Sequence, residues 1–346
     1  MARRNPATVK LINLALQGGG AHGAFTWGVL DKILDDGRVE IEGISGTSAG
    51  AMNAVVLADG LMEKGRDGAR QALRDFWAAV SRAALASPIK RSVWDILMGN
   101  WSLDYSPSYL FFDLLSRVAS PYQLNPLNLN PLRDLLTQQV NFERVRGCDC
   151  IKLFISATSV RTGTVKVFKH GELSPDAVMA SACLPFLFQA VDVDGEAYWD
   201  GGYMGNPVLW PFFYRCSCTD VVIVQINPLE RKELPTTAPE ILDRVNEINF
   251  NSSLLMEFRA IDFVTRLLDQ GLLDPKRYKR VLLHIIGADE ELRPLTASSK
   301  FNAEWEFLTY LHDIGWTTAD EWLAQNFDKI GKQSTVNLRA ILGLPG

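Results

Sequence analysis

The sequence lacks any long apolar run. Its 346 residues contain no stretch close to the roughly 18 apolar residues that a membrane-spanning helix needs. The apolar run nearest the amino terminus, LINLAL at 11–16, is short and enters a glycine-rich stretch that we expect to be structural. We therefore predict neither a spanning segment nor a signal peptide, and expect a cytoplasmic protein.

A strong excess of charge and a cysteine framework are also missing. With 35 Lys and Arg against 40 Asp and Glu, the formal net charge is -5, so we expect no nucleic-acid partner. Five cysteines are an odd number in a long chain and argue against a secreted disulfide framework. Cys148/Cys150 and Cys216/Cys218 have C-x-C spacing rather than the C-x-x-C of common zinc sites, so we predict reduced thiols and no metal.

What the sequence does contain is an alternation of strand and helix patterns. LINLAL (11–16) and IEGIS (41–45) are typical of buried strands, and the helical patterns 24–37 and 49–62 follow them through glycine turns. A strand–helix–strand unit of this kind requires a parallel sheet. We predict an α/β fold with a mostly parallel sheet, whose later strands lie at 151–158, 164–169, 220–226 and 280–287, with a pair of strands within 189–200.

One segment has a different character. Residues 93–136 are dense in Trp, Tyr, Phe and Leu and are interrupted by Asn-Pro pairs. Two interpretations stay open. The segment forms helices that pack on the sheet edge, or it forms an apolar cap that contributes a wall to a substrate pocket.

The last third of the chain is predicted to be mainly helical. The pattern favours one long helix over 239–273 and two helices within 300–330, broken at Gly315. We divide the chain into a catalytic domain at 1–229 and a mainly helical region at 230–346 that packs on the same core.

A candidate nucleophile lies between the second strand and the second helix. GTSAG (46–50) fits G-x-S-x-G around Ser48, and this strand-to-helix context is typical of a nucleophile elbow. Such a turn strains the serine backbone and needs small neighbours, while the helix amino terminus favours a developing alkoxide. The alternative is a glycine-rich turn with a serine helix cap; we favour the nucleophile.

The glycine-rich loop LALQGGGAHGAF (14–25) also allows two interpretations. Its glycines fit the G-x-G-x-x-G spacing of a dinucleotide-binding loop. Such a fold needs an acid at the end of the second strand, whereas Glu40 and Glu42 stand at its beginning. The carboxyl end of that strand leads to Ser48 instead. We therefore predict that the loop amides form an oxyanion hole.

The general base is harder to place. None of the four histidines stands in a context that singles it out, although His284 or His312 would follow in the order of a Ser-His-Asp esterase. Asp200 follows a predicted strand and precedes two glycines, a sequence that is also a frequent turn. A free Asp has a pKa near 3.9, too low for this task. Burial beside an acyl-binding pocket would raise that pKa.

Taken together, the motifs resemble the bacterial patatin-like phospholipases. GGGAHG (18–23), GTSAG (46–50) and DGG (200–202) occur in the family's order, within a resemblance that spans roughly residues 11–210. The resemblance implies a three-layer α/β/α sandwich and a Ser-Asp dyad without histidine, metal or cofactor. One departure is His22, where the family usually has Arg or Lys. By position the resemblance assigns Ser48 as nucleophile, Asp200 as base, the amides of Gly18, Gly19 and Gly20 as oxyanion hole, and Gly23, Gly46, Gly50, Gly201 and Gly202 as motif glycines.

We therefore predict a lipid acyl hydrolase of the phospholipase A or lysophospholipase type, acting through an acyl-enzyme. Its expected partner is a lipid ester at a membrane surface or micelle, and peripheral contact with the inner membrane face stays open. One alternative is a Ser-His-Asp esterase of the α/β-hydrolase type, although that family places its elbow much deeper in the chain. The other is a non-catalytic lipid- or nucleotide-binding protein on this fold. The sequence carries no sign of the oligomeric state.

Overall fold

The computed structural model describes residues 9–231 and 233–344; the ends of the two predicted regions, at 1–8 and 345–346, lie outside this range. Every predicted strand is present, and the stretch 189–200 forms two. The strands are β1 (Lys10–Leu16), β2 (Val39–Gly46), β3 (Lys152–Ser159), β4 (Val165–Lys169), β5 (Val191–Val193), β6 (Glu196–Asp200), β7 (Asp220–Val224) and β8 (Leu282–Ile286).

Helices connect these strands and cover the sheet. Short 3-10 turns occur at Gly20–His22, His170–Glu172, Gly201–Tyr203, Ala297–Phe301 and Phe327–Lys329. The helices are α1 (Gly23–Asp36), α2 (Ala49–Ala84, kinked at Lys64 and Gly65), α3 (Val93–Leu97), α4 (Pro107–Val118), α5 (Pro121–Leu124), α6 (Pro131–Gln139), α7 (Phe142–Arg146), α8 (Pro175–Ser181), α9 (Trp210–Arg215), α10 (Ala238–Asp269), α11 (Asp289–Leu292), α12 (Trp305–Asn326) and α13 (Leu338–Ile341).

The strands form one sheet in the order β5-β6-β3-β2-β1-β7-β8, with β4 also paired to β3. Pairing is parallel from β3 through β2, β1 and β7 to β8, whereas β4, β5 and β6 run antiparallel to their neighbours. The predicted α/β fold with a mostly parallel sheet is therefore confirmed.

The core lies on both faces of this sheet. Successive strand residues point to opposite faces, and in β7 Val222 and Val224 belong to one hydrophobic cluster while Val221 and Ile223 belong to another. The first cluster contains residues of α1, α2 and α12, and the second contains residues of α9 and α10. This arrangement is the predicted three-layer α/β/α sandwich.

The chain segments that carry the candidate chemistry meet at the edge of the sheet formed by the carboxyl ends of the parallel strands. Leu16 at the end of β1 is in register with Gly46 of β2 and with Val224 of β7. Asp200 reaches the same edge from the antiparallel strand β6, opposite Ala157 near the end of β3. The glycine loop, Ser48 and the segment after β7 therefore leave the sheet side by side, next to Asp200.

The prediction of two helices broken at Gly315 is wrong. α12 passes through this glycine without interruption. A Cβ on Gly315 would lie 2.1 Å from the Phe25 carbonyl oxygen, and one on Gly28 would lie 1.9 Å from the His312 carbonyl oxygen. The two glycines allow the backbones of α1 and α12 to touch, so Gly315 is a packing residue rather than a helix terminator. The long helix predicted over 239–273 is confirmed as α10.

The prediction of reduced thiols is wrong for one pair. Cys148 and Cys150 form a disulfide, because the short turn before β3 brings their Cα atoms to 5.4 Å, within the range a disulfide requires. Cys183, Cys216 and Cys218 are free. Over residues 9–231 and 233–344, none of the helices combines the length and apolar character needed to cross a bilayer.

Candidate active site

Ser48 occupies the sharp turn between β2 and α2. Its backbone has φ 54° and ψ -120°, a conformation that costs free energy for a residue with a side chain. The turn is held from both sides, because the Thr47 amide donates to the Leu16 carbonyl at 3.2 Å and the Ser48 amide donates to Ser181 Oγ at 2.8 Å. Ser48 is half-buried between buried neighbours. A strained turn between a strand and a helix is the setting in which a nucleophile elbow places its serine.

The glycines around Ser48 are required by close backbone contacts. A Cβ on Gly46 would lie 2.6 Å from the Gly50 carbonyl oxygen, and one on Gly50 would lie 2.3 Å from the Leu16 carbonyl oxygen. A Cβ on Gly23 would lie 2.6 Å from Ala49 Cβ. These three glycines let α1 and α2 begin directly against the strand ends.

The glycine loop contacts Ser48 but differs from the prediction at its first residue. A Cβ on Gly18 would lie 2.8 Å from Ser48 Cβ, so the loop lies beside the candidate nucleophile. The Gly18 amide donates to Asn206 Oδ1 at 2.7 Å and is not free to bind an oxyanion, which corrects the assignment of that amide. Within the described part of the chain, the amides of Gly19 and Gly20 have no hydrogen-bond partner, and both residues reach the surface.

Asp200 is a buried carboxyl group with an unusually high pKa. It ends β6 and accepts a hydrogen bond from the Gly202 amide at 2.7 Å. Burial raises the pKa of Asp200 to about 7, against the opposing effects of the Gly202 amide, the Ser48 side chain and the Lys300 charge. Close packing explains the two glycines: a Cβ on Gly201 would lie 2.2 Å from the Ser156 carbonyl oxygen, and one on Gly202 would lie 2.1 Å from the Phe250 ring.

The structure thus brings all of the sequence-predicted site residues to one edge, and it adds residues that the sequence did not single out. Ser181 and Asn206 lie inside stretches that resemble the family, yet nothing in a sequence marks one serine or asparagine as a backbone anchor. Lys300 lies in the last third of the chain, and Asn227 lies just before that third begins. No motif signals either of them.

A family model now bears on this geometry. The model of patatin-like phospholipases matches residues 14–213, more than half of the chain. The chain belongs to the patatin-like phospholipase family. No curated protein matches the chain.

Solved structures of similar fold include two bacterial proteins. VipD from Legionella pneumophila shares 16% identity with a TM-score of 0.36, over 87% of this chain and 66% of that one. ExoU of the Pseudomonas aeruginosa type III secretion system, in complex with SpcU, shares 18% identity with a TM-score of 0.33, over 97% of this chain and 75% of that one. A full-length ExoU–SpcU structure shares 14% identity with a TM-score of 0.31, over 90% and 53%. The chain spans just under two thirds of the VipD chain and about half of full-length ExoU.

Two histidines of this patatin-like chain, His284 and His312, hydrogen-bond to carboxylates away from Ser48. His284 Nε2 lies 3.0 Å from Asp220 Oδ1, at the start of β7 and therefore at the opposite edge of the sheet. His312 Nε2 lies 3.1 Å from Asp31 Oδ2, between α12 and α1. Among the described residues, no histidine hydrogen-bonds to Ser48. The geometry gives the Ser-His-Asp alternative no support.

Replacing His284 or His312 by Gln should therefore leave ester hydrolysis within about threefold of wild type, because neither ring takes part in the proton transfer. A true triad histidine contributes about 10²-fold or more. Initial rates on a p-nitrophenyl ester, with circular dichroism to establish folding, measure this. A loss of 10²-fold or more in a folded His284→Gln or His312→Gln protein would contradict it.

The segment 93–136 borders the site on two sides. The Leu103 amide donates to Ser298 Oγ at 2.8 Å, next to the residues that contact the glycine loop. At its other end, Tyr122 Oη accepts from the Ala190 amide at 3.3 Å, in the stretch that leads into β5 and β6. Many of its apolar side chains point outward, with Met98 80% and Trp94 73% exposed. The sheet-edge and pocket-wall interpretations both place such a segment here, and the pocket wall stays a prediction.

Proposed function

We propose that this protein hydrolyses carboxylic esters of lipids, with Ser48 as nucleophile and Asp200 as base. The observation that carries the proposal is the state of Asp200. Burial raises the pKa of Asp200 to about 7, although the Gly202 amide, the Ser48 side chain and Lys300 each act to lower it. A carboxyl group with this pKa suits a base at neutral pH. Among the described residues Asp200 belongs to no ion pair, and a buried acid with a raised pKa beside a candidate nucleophile is typical of a functional site.

In the proposed first step, Ser48 Oγ attacks the acyl carbon and its proton passes to the Asp200 carboxylate. The carbonyl oxygen becomes an oxyanion, which the unpartnered amides of Gly19 and Gly20 would bind. The tetrahedral intermediate collapses when the leaving alcohol takes the proton from Asp200, and the acyl group remains on Ser48.

The second step returns the enzyme to its starting state. Asp200 takes a proton from a water molecule, which attacks the acyl carbon of the Ser48 ester. The same two amides would hold the second oxyanion. Collapse releases the fatty acid, and the proton on Asp200 returns to Ser48 Oγ.

A substrate panel combined with active-site labelling tests this function. Phospholipids, lysophospholipids, acylglycerols and short-chain p-nitrophenyl esters would be incubated with the protein, and released fatty acid or nitrophenol measured. A fluorophosphonate probe should label the protein on Ser48, since the serine displaces fluoride from phosphorus. Absence of both hydrolysis and Ser48 adduct would overturn the proposal and favour a binding protein on this fold.

The proposed partner surface is the outer apolar surface, defined here as Trp94, Leu97 and Met98 with Phe111, Leu114 and Val118. The last three lie at spacings of three and four on α4, so they share one helix face. All six are more than 60% exposed, although exposed apolar patches of this kind are uncommon on monomeric proteins.

A lipid bilayer fits this surface better than a charged partner does. Between residues 93 and 129 the sequence contains four charged side chains, Asp95, Asp104, Asp113 and Arg117, and Asp95 is buried within its own turn. Because the segment borders the Ser48 edge, insertion of these side chains among acyl chains would bring the site to the lipid. Attachment would then depend on apolar burial rather than on headgroup charge.

The double substitution Phe111→Asp with Leu114→Asp should weaken binding to phosphatidylcholine vesicles at least tenfold, since each large apolar side chain contributes about 1.5–3 kcal/mol on burial. Co-sedimentation at low and high salt measures binding, and we expect little salt dependence. Hydrolysis of a short-chain p-nitrophenyl ester should stay unchanged.

Leu272→Asp is the matched control, because Leu272 is 68% exposed and lies outside the outer apolar surface. Equal vesicle binding by the double variant and this control would contradict the lipid surface. Binding to anionic vesicles alone, abolished by salt, would contradict it as well.

A further inference from the structure

Lys300 is a half-buried cation whose part in the reaction described so far is limited to favouring the ionised form of Asp200. It lies in the 3-10 turn Ala297–Phe301, and its Nζ lies 5.9 Å from the centre of the Phe250 ring. Within the described residues its Nζ makes one hydrogen bond, to Asn227 Oδ1 at 2.8 Å, and no ion pair. Withdrawing a charge from water, even in part, without an ion-pair partner disfavours folding, so ion pairing does not explain the position of Lys300.

Lys300 also contacts the glycine loop through its backbone. A Cβ on Gly20 would lie 2.5 Å from the Lys300 carbonyl oxygen, so the Lys300 backbone packs directly against the loop. The loop has no charge of its own, because burial lowers the pKa of His22 to about 3 and leaves the ring neutral. His22 Nε2 instead pairs with Ser299 Oγ at 2.7 Å.

The hydrogen bond to Asn227 continues into the loop backbone. Asn227 Nδ2 donates to the Gly18 carbonyl oxygen at 3.0 Å. That carbonyl belongs to the same peptide unit as the Gly19 amide, and in a trans peptide the C=O and N–H point in opposite directions. Fixing the Gly18 carbonyl on Asn227 therefore fixes the direction of the unpartnered Gly19 N–H.

We propose that Lys300 and Asn227 are positioning residues for the oxyanion hole: Lys300 polarises Asn227, which holds the Gly18–Gly19 peptide and strengthens the Gly19 amide as a donor. Hydrogen bonds in a chain reinforce one another in a low-dielectric interior. The cation at the end of the chain adds to this effect when negative charge develops on the substrate oxygen. This inference rests on the proposed function of Ser48 and Asp200.

The same cation acts on the base. Lys300 stabilises the ionised form of Asp200. Burial lowers the pKa of Lys300, and Glu247, Asp243 and Asp200 oppose this by stabilising its charged form, whereas Arg231 disfavours it. Removing the charge of Lys300 should therefore raise the pKa of Asp200. Other groups near Asp200 do not alter this sign: His22 is neutral, and burial raises the pKa of the Cys183 thiol to about 12 and also raises that of Tyr203.

Lys300→Gln tests the proposal, because Gln can still donate to Asn227 Oδ1 but carries no charge. We expect kcat to fall at least about tenfold, since losing a whole oxyanion donor costs about 10²–10³-fold. KM should stay within twofold, because an oxyanion donor acts in the transition state. The acidic limb of the pH profile should move to higher pH, and the melting temperature should not fall. Lys300→Arg should retain more activity.

Lys329→Gln is the matched control, since Lys329 Nζ also donates to an asparagine, Asn326 Oδ1, at 2.8 Å away from the site. Unchanged kcat and an unchanged acidic limb in Lys300→Gln would overturn the proposal. A fall in melting temperature with no shift of the limb would overturn it too, by indicating a structural role.

A second measurement does not depend on activity. The pH dependence of unfolding, compared between proteins with and without Asp200→Asn, reports the pKa of Asp200 in both the wild-type and the Lys300→Gln backgrounds. We expect a higher pKa in the latter, and equal values would overturn the proposal. If the wild type hydrolysed no ester, the proposed function would fail, while this comparison would still decide the coupling of Lys300 to Asp200.

Discussion

Ser48→Ala is expected to abolish ester hydrolysis, with a fall in kcat of at least about 10⁴-fold. The substitution removes the oxygen that would carry the acyl group, and the neighbouring Thr47 hydroxyl is buried and donates to the Gly205 carbonyl oxygen at 2.7 Å. Ala has the same Cβ as Ser, so the strained backbone at φ 54° and its hydrogen bond to Ser181 should persist. Fluorophosphonate labelling and p-nitrophenyl ester rates measure the loss.

Ser45→Ala provides the matched control for this substitution. Ser45 is a fully buried serine of β2, and its Oγ has no hydrogen-bond partner among the described residues. Removing that oxygen should neither unfold the protein nor change its rate by more than about twofold. Labelling that persists in Ser48→Ala would show that another residue is the nucleophile.

Asp200→Asn is expected to lower kcat/KM by about 10²–10⁴-fold, the usual contribution of a general base. In the wild type, kcat/KM should rise through an acidic limb centred near pH 7, because Asp200 must be ionised to accept the proton and its pKa is about 7. This limb should vanish in the residual activity of Asp200→Asn. Rates in overlapping buffers from pH 5 to about pH 9 measure it.

Asp200→Asn should lower activity but raise the free energy of unfolding at neutral and higher pH. The native pKa of Asp200 lies above its ordinary value, so the native state binds this proton more tightly than the unfolded state does. The resulting stabilisation is complete below the ordinary pKa and is lost as the pH rises through about 7. Above that pH, Asp200→Asn should unfold at a higher temperature than wild type.

Glu257→Gln separates this assignment from a general effect of buried acids. Burial also raises the pKa of Glu257 to about 7, but its carboxylate accepts from the Leu209 and Trp210 amides at the start of α9, away from Ser48. The acidic limb should remain in Glu257→Gln. If the acidic limb disappeared in Glu257→Gln and remained in Asp200→Asn, it would report the ionisation of Glu257, and the assignment to Asp200 would be contradicted.

The sequence was most informative where local pattern and chain order suffice. Alternation of strands and helices predicted the sheet, because strand periodicity is a property of short windows. The positions of the glycine loop after β1 and of Ser48 after β2 predicted that these two would lie side by side, because parallel strands end on the same side of a sheet. Asp200, at the end of the antiparallel strand β6, was assigned from the family resemblance. The direction of the Asp200 pKa shift also followed from burial alone.

Features that depend on distant partners were not predictable. Gly315 resembled a helix break because only contact with Phe25 shows its use in packing. The Gly18 amide was assigned to the oxyanion hole from the family resemblance, and its hydrogen bond to Asn206, far along the chain, is visible only in the fold. Lys300 carries no motif at all, and its relation to the glycine loop exists only in the folded chain.

Because β7 lies inside the sheet, the segment that matches the family model ends before the segment that forms the sheet does. The family match stops at residue 213, whereas β7 begins at Asp220 and pairs with the outer side of β1. A fragment cut at the family boundary would leave β1 as an open sheet edge, with its backbone groups available to other chains. It would also lose Asn227 and Lys300. A fragment that ends at the family boundary is therefore expected to aggregate. Its glycine loop would lack the contacts with Asn227 and Lys300.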